Sequence, residues 1–158
     1  AERNNLTLTD FPELFDAFYL GGTKNGILFG EALVLTNPAL TEDFRFLLKQ
    51  RGGMMAKGRL LGVQFNEVFE DNLFLEMGAH ANRMAKLLAE GIRAKGYEFA
   101  QEPQSNLIFP IFPKPLVEAL SQEVMFECWG GDENTTVIRL VTSWGTREEE
   151  IYAFLELI

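Results

Sequence analysis

The hexapeptide Gly21-Gly22-Thr23-Lys24-Asn25-Gly26 constrains this chain more than any other segment, because it forces a sharp reversal between two apolar runs, Phe18-Tyr19-Leu20 and Ile27-Leu28-Phe29. Glycines there permit positive φ and let a bulky group approach the backbone closely. A lysine at the tip of such a turn is held in position. Its apolar neighbours are expected to strip water from the amine and lower its pKa toward nucleophilic competence, as a Schiff-base lysine requires. Asn-Gly between apolar runs is also a strong β-hairpin signal, and a hairpin lysine points into water. Turn chemistry by itself favours that second reading.

Composition narrows the function classes. The 158 residues carry 47% hydrophobic side chains, enough for one sizeable core or two small ones. A net charge of −9 and a pI near 4.6 argue against a nucleic-acid surface, and the longest basic cluster is only Lys49, Arg51, Lys57 and Arg59. The single cysteine, Cys128, forms no internal disulfide, and with one histidine it builds no zinc site, so a reducing cytoplasm is the expected compartment and no metal is expected. No apolar run approaches 18 residues and no signal-peptide pattern opens the chain, so no membrane partner is expected.

The pattern predicts a helix opening at Asp10 with Pro12 in its first turn, then strands at Phe18–Leu20 and Ile27–Leu35 on either side of the lysine turn. Thr41-Glu42-Asp43 opens a helix to about Gln50, and Arg51-Gly52-Gly53 breaks it before a helical stretch from about Met54 to Phe69. Leu73, Met77, Ala81, Met84, Leu88 and Ile92 recur at spacings of four and three, an apolar stripe that belongs to a core. Lys95-Gly96-Tyr97 ends that helix. Beyond it the pattern predicts a strand over Ser105–Phe112, a helix over Lys114–Gln122, and a hairpin of Val124–Trp129 with Thr135–Thr142, the most β-branched run in the chain. Arg147–Ile158 reads as a final amphipathic helix. The expected division is residues 1–70 and 71–158.

Several polar residues stand out. Arg139, between Ile138 and Leu140, projects from the opposite face of its strand, where a guanidinium wants an anionic partner: a salt bridge to one of the 23 acidic residues, or a ligand carboxylate. Lys49 sits near a predicted helix C-terminus, which favours a cation, and Lys57 and Arg59 compete with it for any anion-binding role. The Thr23 hydroxyl can donate to a phosphate oxygen or bond its own turn backbone. His80 beside the apolar stripe reads as packing or surface, Cys128 and Trp129 as core strand residues, and Trp144 as a packing aromatic.

Residues 3 to 65, through Arg3-Asn4-Asn5-Leu6, the Phe18–Gly26 segment and Phe29-Gly30-Glu31-Ala32, resemble the low-specificity threonine aldolases of the β-eliminating lyase family. The likeness continues at Lys49-Gln50 and Met55–Gly62 and resumes at Arg139-Leu140-Val141-Thr142-Ser143-Trp144. Those are pyridoxal-phosphate (PLP) enzymes of the aspartate-aminotransferase-like fold. The resemblance implies an α/β fold: the C-terminal part of a PLP-dependent, fold-type-I large domain, followed by a small α+β domain. Members are roughly twice as long, and this chain resembles their C-terminal half. By that resemblance its first residues are expected to correspond to a position beyond the phosphate-binding turn, the residue that stacks on the ring and the aspartate that partners the pyridine nitrogen.

By that resemblance Lys24 forms the internal aldimine with PLP, Thr23 and Lys49 contribute to cofactor binding, and Arg139 grips the substrate α-carboxylate. The implied reaction is retro-aldol cleavage of a threonine-type β-hydroxy-α-amino acid to glycine and an aldehyde. A homodimer or homotetramer sharing its active site is the expected assembly. Two alternatives stay open at this point: another PLP lyase of the same fold that catalyses β-elimination, and a non-catalytic module with an exposed apolar face.

Overall fold

The computed structural model describes residues 6–158, so Arg3, Asn4 and Asn5 of the sequence resemblance lie outside the described residues. The chain divides into two compact units, residues 1–76 and 77–158. The division falls in the first turn of a long helix, a few residues beyond the junction expected near Asp71.

The first unit opens with the short helix α1 (Phe11–Leu14). Asp10 precedes it as expected, but its carboxylate accepts from the Thr7 backbone N–H at 2.6 Å and the Thr7 hydroxyl at 2.8 Å instead of capping the helix. Strands β1 (Ala17–Gly21) and β2 (Glu31–Leu35) pair antiparallel, with Ala17 opposite Leu35 and Gly21 opposite Glu31. The lysine turn thus joins two paired strands. The second begins four residues later than the sequence predicts, because Ile27 turns inward instead of entering the ladder. Helix α2 (Phe44–Gln50) follows, then α3 (Arg59–Phe69). The run from Met54 to Gly58 stays outside α3, with a turn closed by Gly58 N–H on the Met55 carbonyl. Its core is small: Ile27, Phe65 and Val68 are buried, with Ala32 and Phe74 against them. Many apolar side chains of this unit face solvent, Leu28 at 83% and Phe46 at 73% exposure among them.

Helix α4 (Leu73–Ala94) carries the predicted stripe, and Ala81, Met84, Leu88 and Ile92 on it are buried together with Ala85 and Ala89. The second unit contains most of this helix. Strands β3 (Glu98–Phe99), β4 (Leu107–Ile108), β5 (Pro110–Pro113), β6 (Glu127–Gly131) and β7 (Thr135–Val141) form one sheet, with helices α5 (Lys114–Leu120) and α6 (Glu148–Glu156). All pairings are antiparallel, and β7 is the hub, bonded to β4, β5 and β6. The strand expected over Ser105–Phe112 is interrupted at Phe109, but Leu107↔Val141 and Phe112↔Thr136 lie in the same register along β7. Between sheet and helices sit Ile92, Ile108, Phe112, Leu120, Ile138 and Ile151. Thr142 ties the end of β7 to α4 by donating its hydroxyl to the Ala81 carbonyl at 2.7 Å.

The β6–β7 hairpin closes on Asp132, whose Oδ1 accepts from the Asn134 N–H at 2.8 Å and the Thr135 N–H at 2.7 Å. Those backbone donors hold the Asp132 carboxyl below its ordinary value. A carboxylate depressed by folding contributes stability above its unfolded pKa, and that contribution is lost as pH falls through the folded value. Replacing Asp132 by asparagine, which keeps the acceptor and removes the charge, is therefore expected to flatten the acid loss of stability below about pH 4. Denaturant midpoints measured between neutral and acid pH check this.

Candidate active site

The lysine turn is fixed through its backbone. Asn25 and Ile27 both donate their N–H to the Gly22 carbonyl, at 2.9 and 3.0 Å, which folds the loop back on itself. Leu28 N–H donates to Gln64 Oε1 at 2.9 Å, and the Asn25 side chain donates to the Phe74 carbonyl at 3.4 Å. Gln64 is itself held by its side-chain Nε2–H, which donates to the Leu60 carbonyl at 2.9 Å. Gly26 supplies the left-handed step, at φ +81°. Gly22 serves a different need: a Cβ built there would clash with the Ile27 side chain at Cγ1. The close approach foreseen for a ligand is thus made by the chain's own Ile27, buried against Phe65 and Val68.

Lys24 remains exposed at the tip, with no hydrogen bond or ion pair to any described residue. The expected desolvation by apolar flanks is not supplied within this unit, because Ile27 turns into the core and Leu28 and Phe29 face solvent. Thr23 is exposed beside Lys24, and its hydroxyl bonds no described group. Lys49 is exposed on α2, and no hydrogen bond or ion pair ties it to the turn. An unpaired amine with a free hydroxyl on the adjacent residue is a donor set that suits a phosphorylated aldehyde. Gly22→Ala is expected to drive Ile27 from its pocket and disorder the turn, with the amide resonances of Asn25, Ile27 and Leu28 shifting or broadening while those of the second unit hold.

In the second unit Arg139 lies opposite Glu127 on the β6–β7 ladder, and its Nη2 meets Glu127 Oε1 at 2.9 Å. The guanidinium lies over the Trp129 ring, 5.6 Å from its centroid, and Trp129 in turn contacts Phe109 at 5.3 Å. The register shift between Cys128 and Gly130 leaves Trp129 without a ladder partner. Arg139 Nε is buried and makes no hydrogen bond. A pocket of about 470 Å³ beside it is lined by Arg139, Glu127, Thr142, Leu88, Phe126 and Phe154.

Cys128 and Trp129 are exposed, not core, since among the described residues β6 pairs only with β7 and leaves one edge open. Trp144 is half-exposed. His80 donates from Nε2 to the Thr146 carbonyl at 2.7 Å, a structural bond. Glu127 was missed by sequence reasoning, although the hairpin register would have found it as the residue across from Arg139. Among the described residues no group of three or more His, Cys, Asp or Glu side chains is placed to hold a metal ion, and no helix is long and apolar enough to cross a membrane.

The chain has the α/β architecture of the PLP-dependent, fold-type-I enzymes: a Sphingomonas wittichii serine palmitoyltransferase superimposes with a TM-score of 0.66 at 14% identity, covering 90% of this chain and 38% of that one. Within that class, the Leishmania major threonine aldolase matches with a TM-score of 0.93 at 44% identity, over 97% of this chain and 45% of its own. The low-specificity L-threonine aldolase of Pseudomonas aeruginosa is 34% identical over 138 residues, 86% of this chain. The chain is similar to the threonine aldolases and spans 39% of the length of that curated relative. No protein-family profile matches it.

Proposed function

We propose that this chain carries the lysine-bearing and carboxylate-binding parts of a PLP-dependent threonine aldolase, which cleaves a threonine-type β-hydroxy-α-amino acid to glycine and an aldehyde. The observation that carries the reading is Lys24: an unpaired amine on a turn anchored at Gly22, Gln64 and Phe74, within a segment shared with threonine aldolases. In this reading residues 1–70 belong to the cofactor-binding large domain and residues 71–158 form the small domain.

PLP, when bound, supplies the electron sink that allows the substrate Cα–Cβ bond to break as the β-hydroxyl proton leaves. Lys24 Nζ would hold the cofactor, and the anchored turn fixes the backbone point from which that side chain reaches it. The Thr23 hydroxyl and the Lys49 ammonium offer hydrogen bonds to the cofactor phosphate. Arg139 takes the substrate carboxylate, its guanidinium plane fixed by Trp129. The exposed apolar surface of the first unit supports completion of the site by further polypeptide, in a homodimer or homotetramer of a cytoplasmic enzyme.

The test is reduction with borohydride in the presence of PLP, followed by peptide mapping. A pyridoxyl group confined to Lys24 is expected, whereas labelling spread evenly over the exposed lysines would refute the assignment. Product analysis of the assembled enzyme with L-threonine separates the reactions. Glycine and acetaldehyde are expected; ammonia and a keto acid would mean β-elimination.

A further inference from the structure

We propose that Glu127 is an internal occupant of the Arg139 carboxylate site, displaced by the substrate carboxylate, so that it sets how tightly the amino acid is held. The proposal rests on the carboxylate role of Arg139 and deepens it.

The side-on edge of a guanidinium presents Nε–H and one Nη2–H in parallel, the fork that receives both oxygens of a carboxylate. In this structure half of that fork is filled. Glu127 Oε1 sits 2.9 Å from Nη2, while Nε is buried and makes no hydrogen bond. The other Glu127 oxygen is directed elsewhere, accepting from Trp129 Nε1 at a long 3.4 Å. Nε is therefore a buried donor lacking an acceptor, a condition native structures rarely tolerate without a reason. An amino-acid carboxylate bridging Nε and Nη2 would satisfy both donors at once, which Glu127 as placed does not.

Exposure also differs between the partners. The Glu127 side chain is 62% exposed, on a strand with one open edge, and can swing into water. The Arg139 side chain is 30% exposed and is kept in place by the Trp129 ring, itself backed by the buried Phe109. Ile108↔Leu140 and Ile111↔Val137 share one register, which puts Phe109 across from Arg139 on the side away from Glu127. The arginine stays and the glutamate yields. Such an occupant keeps the guanidinium partly paired between substrates, and substrate affinity is reduced by the strength of the pair it must break.

The sign of one measurement decides between an occupant and a support. In the assembled, PLP-loaded enzyme carrying the ¹⁵N-labelled chain, the Arg139 Nε–Hε resonance, assigned by its loss in Arg139→Lys, is followed on titration with L-threonine, with L-threonine amide as the carboxylate-free control. Removing a competing ion pair of this exposure is expected to tighten L-threonine binding by about 3- to 5-fold in Glu127→Gln and Glu127→Ala. Unchanged affinity in both variants, with the resonance still shifting, overturns the role of Glu127 and leaves that of Arg139 standing. Weaker binding makes Glu127 a support for the arginine and overturns the proposal. No response at Arg139 in any variant overturns the carboxylate role and this inference with it.

Discussion

Replacing Lys24 by alanine is expected to abolish borohydride-stable pyridoxyl labelling at this turn while changing the stability of the chain by no more than about 0.5 kcal/mol. Both halves of that expectation follow from where the residue's bonds go. The turn is built by main-chain and neighbouring side-chain contacts, from Asn25 and Ile27 to Gly22 and from Leu28 to Gln64, and none uses the lysine side chain. The side chain is exposed and unpaired, so its loss opens no cavity and orphans no buried group. An effect on labelling without an effect on folding isolates the amine as the functional element. Gly22→Ala supplies the converse, because the lysine remains but the frame that positions it is disturbed by the clash with Ile27. If labelling survives in Lys24→Ala, another lysine holds the cofactor and Lys24 is a plain hairpin residue.

How far the site could be read in the sequence depends on how local its geometry is. The Lys24 hairpin was legible because glycine spacing and flanking apolar runs are properties of a dozen adjacent residues. The start of its second strand was not, since Ile27 to Phe29 look like strand residues. Only the fold reveals that the Ile27 N–H is taken by Gly22 and the Leu28 N–H by the side chain of Gln64, 36 residues away. The helix expected from Met54 begins at Arg59, as a turn at Met55–Gly58 precedes it. The α4 stripe was legible because a 3.6-residue period needs no partner to be seen.

Arg139 marks the limit from the other side. Its strand, and the face it shares with neither Ile138 nor Leu140, follow from alternation. Its partners come from register: Glu127 across one edge, Phe109 across the other, and Trp129 freed by the shift after Cys128. A one-residue slip would have exchanged all of them. The same dependence explains why Trp129, apolar and in a strand, was expected in the core and instead lies over a guanidinium at the sheet surface.

Phe112→Ala is expected to cost the second unit about 3 to 5 kcal/mol, the usual range for deleting a buried phenyl ring. Phe112 is fully buried at the centre of the sheet, on a strand that pairs with β3 on one side and β7 on the other. Its ring meets Tyr97 edge-on at 4.8 Å, so truncation removes an aromatic contact along with the buried area. Set against the 5 to 15 kcal/mol that typically stabilises a whole domain, this loss leaves the unit marginal. The readout is selective, because both tryptophans of the chain, Trp129 and Trp144, lie in the second unit. Their fluorescence in a urea titration is expected to show a lower midpoint with little change in slope. Phe46→Ala, at a ring 73% exposed in the first unit, should leave that transition within about 0.5 kcal/mol of the parent. The consequence reaches the site, since β5 and β6 hold β7 between them and β7 carries Arg139. Where Phe112→Ala loosens the sheet, the Glu127–Arg139 register loosens with it, and L-threonine should cease to shift the Arg139 Nε–Hε resonance at urea concentrations the parent chain withstands.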